Sequence, residues 1–121
     1  MKTTVAALSA VALFAASSVS AATDPIALAK KFGGDCPTCH TVDKKLIGPA
    51  WRDVANRYTG QGVTKYTYQG KEYPLIEGLV MKVSKGGSGN WGTMPMPAND
   101  PTGAKKDKIE QLVRFVLGLA K

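Results

Sequence analysis

Cys36-Pro37-Thr38-Cys39-His40 decides this chain. Two cysteines three positions apart, with a histidine directly after the second, form the spacing at which two thiols add across the two vinyl groups of one haem while the adjacent imidazole ligates its iron. The rival uses of Cys-x-x-Cys need partners that the chain lacks. Cys36 and Cys39 are its only cysteines and His40 its only histidine, so a tetrahedral zinc site of sulfur and nitrogen ligands cannot be completed. A thioredoxin-like dithiol is expected after a strand in a βαβ pattern, whereas this motif follows a short helix-like segment ending in Gly33-Gly34.

Upstream, residues 1–22 have the pattern of a secretory signal: Lys2 as a charged start, an apolar run from Val5 to Ala16, and the small residues Val19-Ser20-Ala21-Ala22 at the cleavage region. The apolar run is about 12 residues, too short to span a bilayer, and no second apolar segment approaches that length. Removing it leaves 23–121 as one small domain, exported to a compartment where haem can be joined to thiols. The net charge is +7; without Lys2, 15 basic residues face 9 acidic ones, and the mature region remains basic at +6. A domain of this size buries a modest share of its surface, and a covalently held macrocycle would enlarge its core. The charge does not point to nucleic acid, because no recognised nucleic-acid motif accompanies it and the export signal leads away from the cytoplasm.

Apolar spacing places helices on both sides of the motif. Asp24-Pro25 has the form of an N-cap followed by a first-turn proline, and Ile26, Ala29 and Phe32 recur at helical intervals before Gly33-Gly34. Trp51, Val54, Ala55 and Tyr58 mark one face of a second helix ending near Gly60. Ile76, Leu79, Val80 and Val83 mark a third, with Lys82 and Lys85 near its negative end and Gly86-Gly87 as the stop. The clearest stripe is Ile109, Leu112, Val113, Val116, Leu117 and Ala120, with Thr102 expected as its cap. Between Gly62 and Pro74, threonines and tyrosines with a turn at Gln69-Gly70 suggest a small hairpin over 63–74. The expected fold class is therefore all-α, about four helices around one covalent haem c, with that hairpin as an insertion.

What lies across the iron from His40 decides whether the site binds ligands or passes electrons. With no second histidine, the candidates are Met81, Met94 and Met96, with lysine weaker. Met81 sits within the third helix, where methionine usually fills core space. Met94 and Met96 lie in Asn90-Trp91-Gly92-Thr93-Met94-Pro95-Met96-Pro97-Ala98-Asn99, where prolines restrict the backbone and Gly92 and Asp100-Pro101 discourage regular structure. Spacing alone does not choose between them.

At this point the chain resembles the class I monohaem cytochromes c, in particular the short bacterial type, from Asp24 to Lys121. The resemblance is carried by the Cys-Pro-Thr-Cys-His motif, by Val42-Asp43-Lys44-Lys45-Leu46-Ile47-Gly48-Pro49-Ala50, by the stretch from Trp91 to Asn99, and by the closing amphipathic helix. It implies thioether links at Cys36 and Cys39 and axial iron ligands His40 and Met96, the methionine of the Pro-Met-Pro element. It implies too that the Pro49 carbonyl accepts a hydrogen bond from the free His40 ring nitrogen, that Trp91 donates to a haem propionate, and that Asn99 lies near the methionine sulfur. The stretch Gly62–Pro74 is longer than its counterpart in the short bacterial type.

The function expected is that of a periplasmic one-electron carrier and not an enzyme, monomeric, with redox proteins as partners. Lys30, Lys31, Lys44, Lys45, Lys82 and Lys85 offer a positive rim for an acidic docking surface. Two alternatives stand beside it: a ligand-binding or peroxidase-like haem protein, and a subunit held to a periplasmic oxidoreductase through Tyr66, Tyr68 and Tyr73.

Overall fold

The helical spacing before the motif becomes α1, Pro25–Lys31, in a computed structural model of the protein, which describes residues 25–31 and 36–121. The signal expected over 1–22, the Asp24 cap and the Phe32–Gly34 end of this helix fall outside those residues. The haem motif is itself a helical turn, α2, Cys36–Cys39, which makes five α-helices among the described residues, in keeping with the expected helical fold of about four. Then follow α3, Trp51–Arg57, continued by a 3-10 turn over Thr59–Gln61, α4, Leu75–Lys85, and α5, Lys106–Leu117.

The hairpin forms between α3 and α4. Strand β1, Lys65–Tyr68, pairs antiparallel with β2, Lys71–Pro74, in the register Tyr66↔Tyr73 and Tyr68↔Lys71. Gln69 and Gly70 make the turn with φ of 50° and 75°, both in the left-handed region that a two-residue hairpin loop demands. Side chains alternate across β1, so Tyr66 and Tyr68 point inward and are buried at 3% and 5% exposure. Gly78 lets the hairpin close on α4, because a Cβ there would stand 2.8 Å from that of Tyr66.

The stripe on α5 divides into two rows. Ile109, Val113 and Leu117, at i, i+4 and i+8, join Tyr58, Tyr66, Tyr68, Leu75, Leu79 and Val80 in one cluster. Leu112 and Val116 join Leu28, Ala29 and Trp51 in another. Burial of each of these larger aliphatic side chains contributes about 1.5–3 kcal/mol. One helix thereby holds both halves of the molecule together.

Two expectations need correction. Thr102 does not cap α5: it is exposed in a turn closed by the Gly103 amide on the Asp100 carbonyl, and the helix begins only at Lys106. The buried Asp100 carboxylate takes the Lys105 amide at 2.9 Å, supplying the acceptor that an unsatisfied helix start needs. The methionine stretch also forms regular structure. Strand β3, Gly87–Gly89, pairs antiparallel with β4, Gly92–Met96, at Gly87↔Met96 and Gly89↔Gly92. A two-stranded ribbon has a free edge, so Pro95 costs the ladder little.

Burial of Tyr66, reinforced by neighbouring Tyr58, pushes its phenol up to about 12 from an ordinary value of 10.0. The folded state thus retains the proton longer than the unfolded chain, and this contribution is complete below pH 10 and is lost as pH rises from 10 towards 12. Urea unfolding through that range should show a steeper fall in stability for the wild type than for Tyr66→Phe; equal slopes would refute it.

Candidate haem-binding site

Cys36, Cys39 and His40 stand at i, i+3 and i+4 of one helical turn, whose closing bond runs from the His40 amide to the Cys36 carbonyl at 2.9 Å. That spacing puts all three side chains on one side of the turn. Backbone bonds from Gly48 N to Cys39 O at 2.8 Å and from Trp51 N to Thr41 O at 2.9 Å fold the following loop back. Pro49 thereby reaches the imidazole, and the His40 Nδ1–H donates to its carbonyl at 2.7 Å. With Nδ1 as donor, the neutral ring keeps its lone pair at Nε2, the atom left to bind a metal.

The ring is held from two sides. Trp51 stacks on it at 5.8 Å with planes 21° apart. Gly48 lies so near that a Cβ there would stand 2.5 Å from Cε1 and 2.9 Å from Nδ1. Burial lowers the imidazole pKa, partly offset by the Pro49 bond, so the ring is disposed towards its neutral, ligating form.

These groups line a cavity between the two clusters, about 1060 Å³ with its open mouth included. Leu112, Val113, Val116 and Leu117 of α5 supply one part of its wall, and Leu79 and Val83 of α4 another. Met94 and Met96 line it as well, both on β4, whose pairing with β3 shifts register over this stretch. Met94 is 64% exposed and Met96 only partly so. Met81 is absent from the lining and packs against the tyrosine-rich cluster. Among the described residues the lining contains no carboxylate, and Lys82 is its one lysine or arginine.

Trp91 lines the cavity with 39% exposure, its ring covered by the Arg57 guanidinium at 4.4 Å and met edge-on by Tyr58. The Tyr58 hydroxyl is buried with the Trp91 indole as its polar neighbour. Asn99 lies outside the lining; its amide donates to the carbonyls of Val83 at 3.2 Å and Pro97 at 3.1 Å. Lys30, Lys31, Lys44, Lys45 and Lys85 are exposed. Lys82 leaves the expected rim: it is half-buried, its Nζ donates to the Gly87 carbonyl at 2.5 Å, and burial lowers its pKa. Its place in the cavity was legible as a lone lysine at i+3 from Leu79 and beside Val83 on an otherwise apolar face. The Tyr66 ring, too, lines the cavity, and with Tyr68 it is spent on the interior, leaving neither as a surface for a partner.

This cavity suits a haem. Its apolar wall accepts a macrocycle, its thiols share a wall with an imidazole whose Nε2 lone pair is available, thioethers line it too, and Lys82 supplies a counter-charge for an anionic substituent.

Comparison with known proteins agrees. The family described as Cytochrome c matches residues 27–120. A cytochrome c-551 of Allochromatium vinosum is 39% identical over 94 residues, covering 78% of this chain and 84% of the relative. A cytochrome c2 of Rhodocyclus tenuis is 40% identical, covering 79% and 92%. The crystal structure of Nitrosomonas europaea cytochrome c552 superposes with a TM-score of 0.57 at 31% identity, covering 78% of this chain and 98% of that one.

The close approach at Gly48 predicts that Gly48→Ala forces the imidazole off Pro49. It should lower stability by about 1–3 kcal/mol in chemical unfolding and speed solvent exchange of the His40 Nδ1 proton in NMR. An unchanged exchange rate would contradict the packing described.

Proposed function

Because the chain belongs to the cytochrome c family and carries one covalently attached haem c, we propose that it is a periplasmic one-electron carrier whose axial iron ligands are His40 and Met96. When bound, the haem supplies the redox chemistry, its iron gaining and losing a single electron. The observation that carries the reading is the shared cavity: Cys36, Cys39, His40 and Met96 all line one apolar space.

The chain's own residues divide the work. Cys36 and Cys39 tether the group by thioether bonds. Pro49 and Trp51 hold the His40 ring in orientation, and the Pro49 bond raises its donor strength. Met96 is favoured over Met94 because it is the less exposed and its backbone is paired to Gly87. A thioether ligand and an apolar wall both favour the reduced state, so the potential is raised. Trp91 and Lys82 meet the propionates, and Asn99 steadies the chain after Met96 through the Val83 and Pro97 carbonyls. His40 is the only histidine and is committed to iron, leaving no imidazole for the acid–base steps of a peroxidase.

Residues 1–22 direct export, so the carrier works in the periplasm. Among the described residues no helix is long and apolar enough to cross a membrane. Exposed Lys30, Lys31, Lys44 and Lys45, near the haem motif in sequence, attract a redox partner with an acidic surface.

Met96→Ala should abolish the thioether-to-ferric charge-transfer band, open the iron to carbon monoxide and lower the potential by on the order of 0.1 V. A retained band with an unchanged potential would exclude Met96. Electron transfer to an acidic partner protein should slow about tenfold as the Debye length shrinks from about 30 to about 8 Å; a flat salt dependence would remove the steering role.

A further inference from the structure

The hairpin is bonded to the very segment against which the methionine strand is paired. The buried Tyr68 hydroxyl donates to the Gly86 carbonyl at 2.9 Å, across 18 residues of chain. At the other end of that segment, Asn90 Nδ2 donates to the Tyr66 hydroxyl at 2.5 Å and to the Thr67 carbonyl at 3.2 Å. Arg57 donates to the Asn90 carbonyl. Strand β1 therefore grips both ends of Gly86–Asn90.

That segment is in turn one step from Met96. Gly87 is the pairing partner of Met96 across the β3–β4 ribbon. The Gly86 backbone, at φ 74°, lies so close that a Cβ would collide with the Met96 carbonyl and crowd the Ala98 amide. Any outward shift of β4 must slide over Gly86 and Gly87 or carry them with it. If they move, the Tyr68 and Asn90 bonds break, and burial makes the loss of the Tyr68 bond costly.

We propose that the β1–β2 hairpin is a positioning device for the methionine strand: through Tyr68 on Gly86 and Tyr66 on Asn90, it sets how often the Met96 sulfur leaves the iron. This rests on Met96 being the axial ligand. Tyr66 and Tyr68 are positioning residues that act through the Gly86–Asn90 backbone. The function of the insertion is then to restrict local opening of the ligand strand, the motion through which an outside ligand gains access.

The test is imidazole binding to the oxidised holoprotein, read as loss of the thioether charge-transfer band, for wild type, Tyr68→Phe, Asn90→Ala and Thr59→Val. Tyr68→Phe keeps the ring and removes the bond to Gly86, together with the longer one that the hydroxyl accepts from Gln69 within the hairpin turn at 3.3 Å; Asn90→Ala removes the side-chain bonds at the other end, should the first variant fold poorly. Each should raise imidazole affinity about fivefold, the effect of one buried hydrogen bond. Thr59→Val removes a hydroxyl bonded to the Leu117 carbonyl at 2.7 Å and the Ala55 carbonyl at 2.9 Å, neither of them in the hairpin or the ribbon, and should leave imidazole affinity unchanged. Unchanged affinity in both hairpin variants overturns the proposal, as does an equal rise in Thr59→Val, which would signify general loosening. Failure of the Met96 assignment itself is told apart beforehand, by a charge-transfer band that survives Met96→Ala.

Discussion

The α5 helix buries two apolar rows in two different directions, and the rest of the molecule is arranged around the space this leaves. Ile109, Val113 and Leu117 close on the hairpin and α4, Leu112 and Val116 on α1 and Trp51. Both clusters contribute to the cavity wall, and Val54 packs against both. An apolar body in that space completes one core out of two, which is how a chain of 121 residues with a basic surface gains the interior its length does not supply. The covalent haem c of the family is such a body, and tethering by Cys36 and Cys39 makes its contribution permanent.

The same space is electrostatically sparse. His40 is kept neutral by burial and oriented by Pro49, and among the described residues Lys82 is the one lysine or arginine in the lining. A wall with few charges penalises the extra positive charge of oxidised iron and so favours reduction. The lysine would oppose part of the anionic charge that a bound haem's propionates bring. The Arg57–Trp91 stack and the Asn90 bonds then tie the cavity rim to the hairpin, so the electrostatics of the site and the mechanics of the insertion share residues.

Helices whose apolar residues recur at 3.6-residue intervals were legible because burial of one face is a local fact, and a glycine stop made the end of α4 legible as well, at Lys85 with Gly86 beyond it; α3 ends at Arg57, short of the expected Gly60. The hairpin was legible too, since Gly70 offers a left-handed turn residue between two runs rich in threonine and tyrosine. The start of α5 was not. Asp100 caps it from five residues before Lys105, and that reach depends on the Gly103 turn, which no spacing rule for N-caps anticipates. The β3–β4 ribbon was hidden for a similar reason: its glycines and prolines carry turn signals, and only the Gly86–Met96 approach makes a strand of them.

By itself, the sequence determined the cofactor chemistry and the helical framework. Both follow from residues within one or two turns of each other, the two thiols and imidazole of residues 36–40 and the apolar stripes. The tertiary structure alone decided which polar groups face the cavity and what supports the methionine strand. Lys82 turns from rim to interior, Tyr66 and Tyr68 turn from surface to core, and Asn90 meets a strand more than twenty residues earlier in the chain. The physical reason is range: covalent spacing and helical period act along the chain, whereas burial and hydrogen bonding between distant segments exist only once the chain has closed on itself.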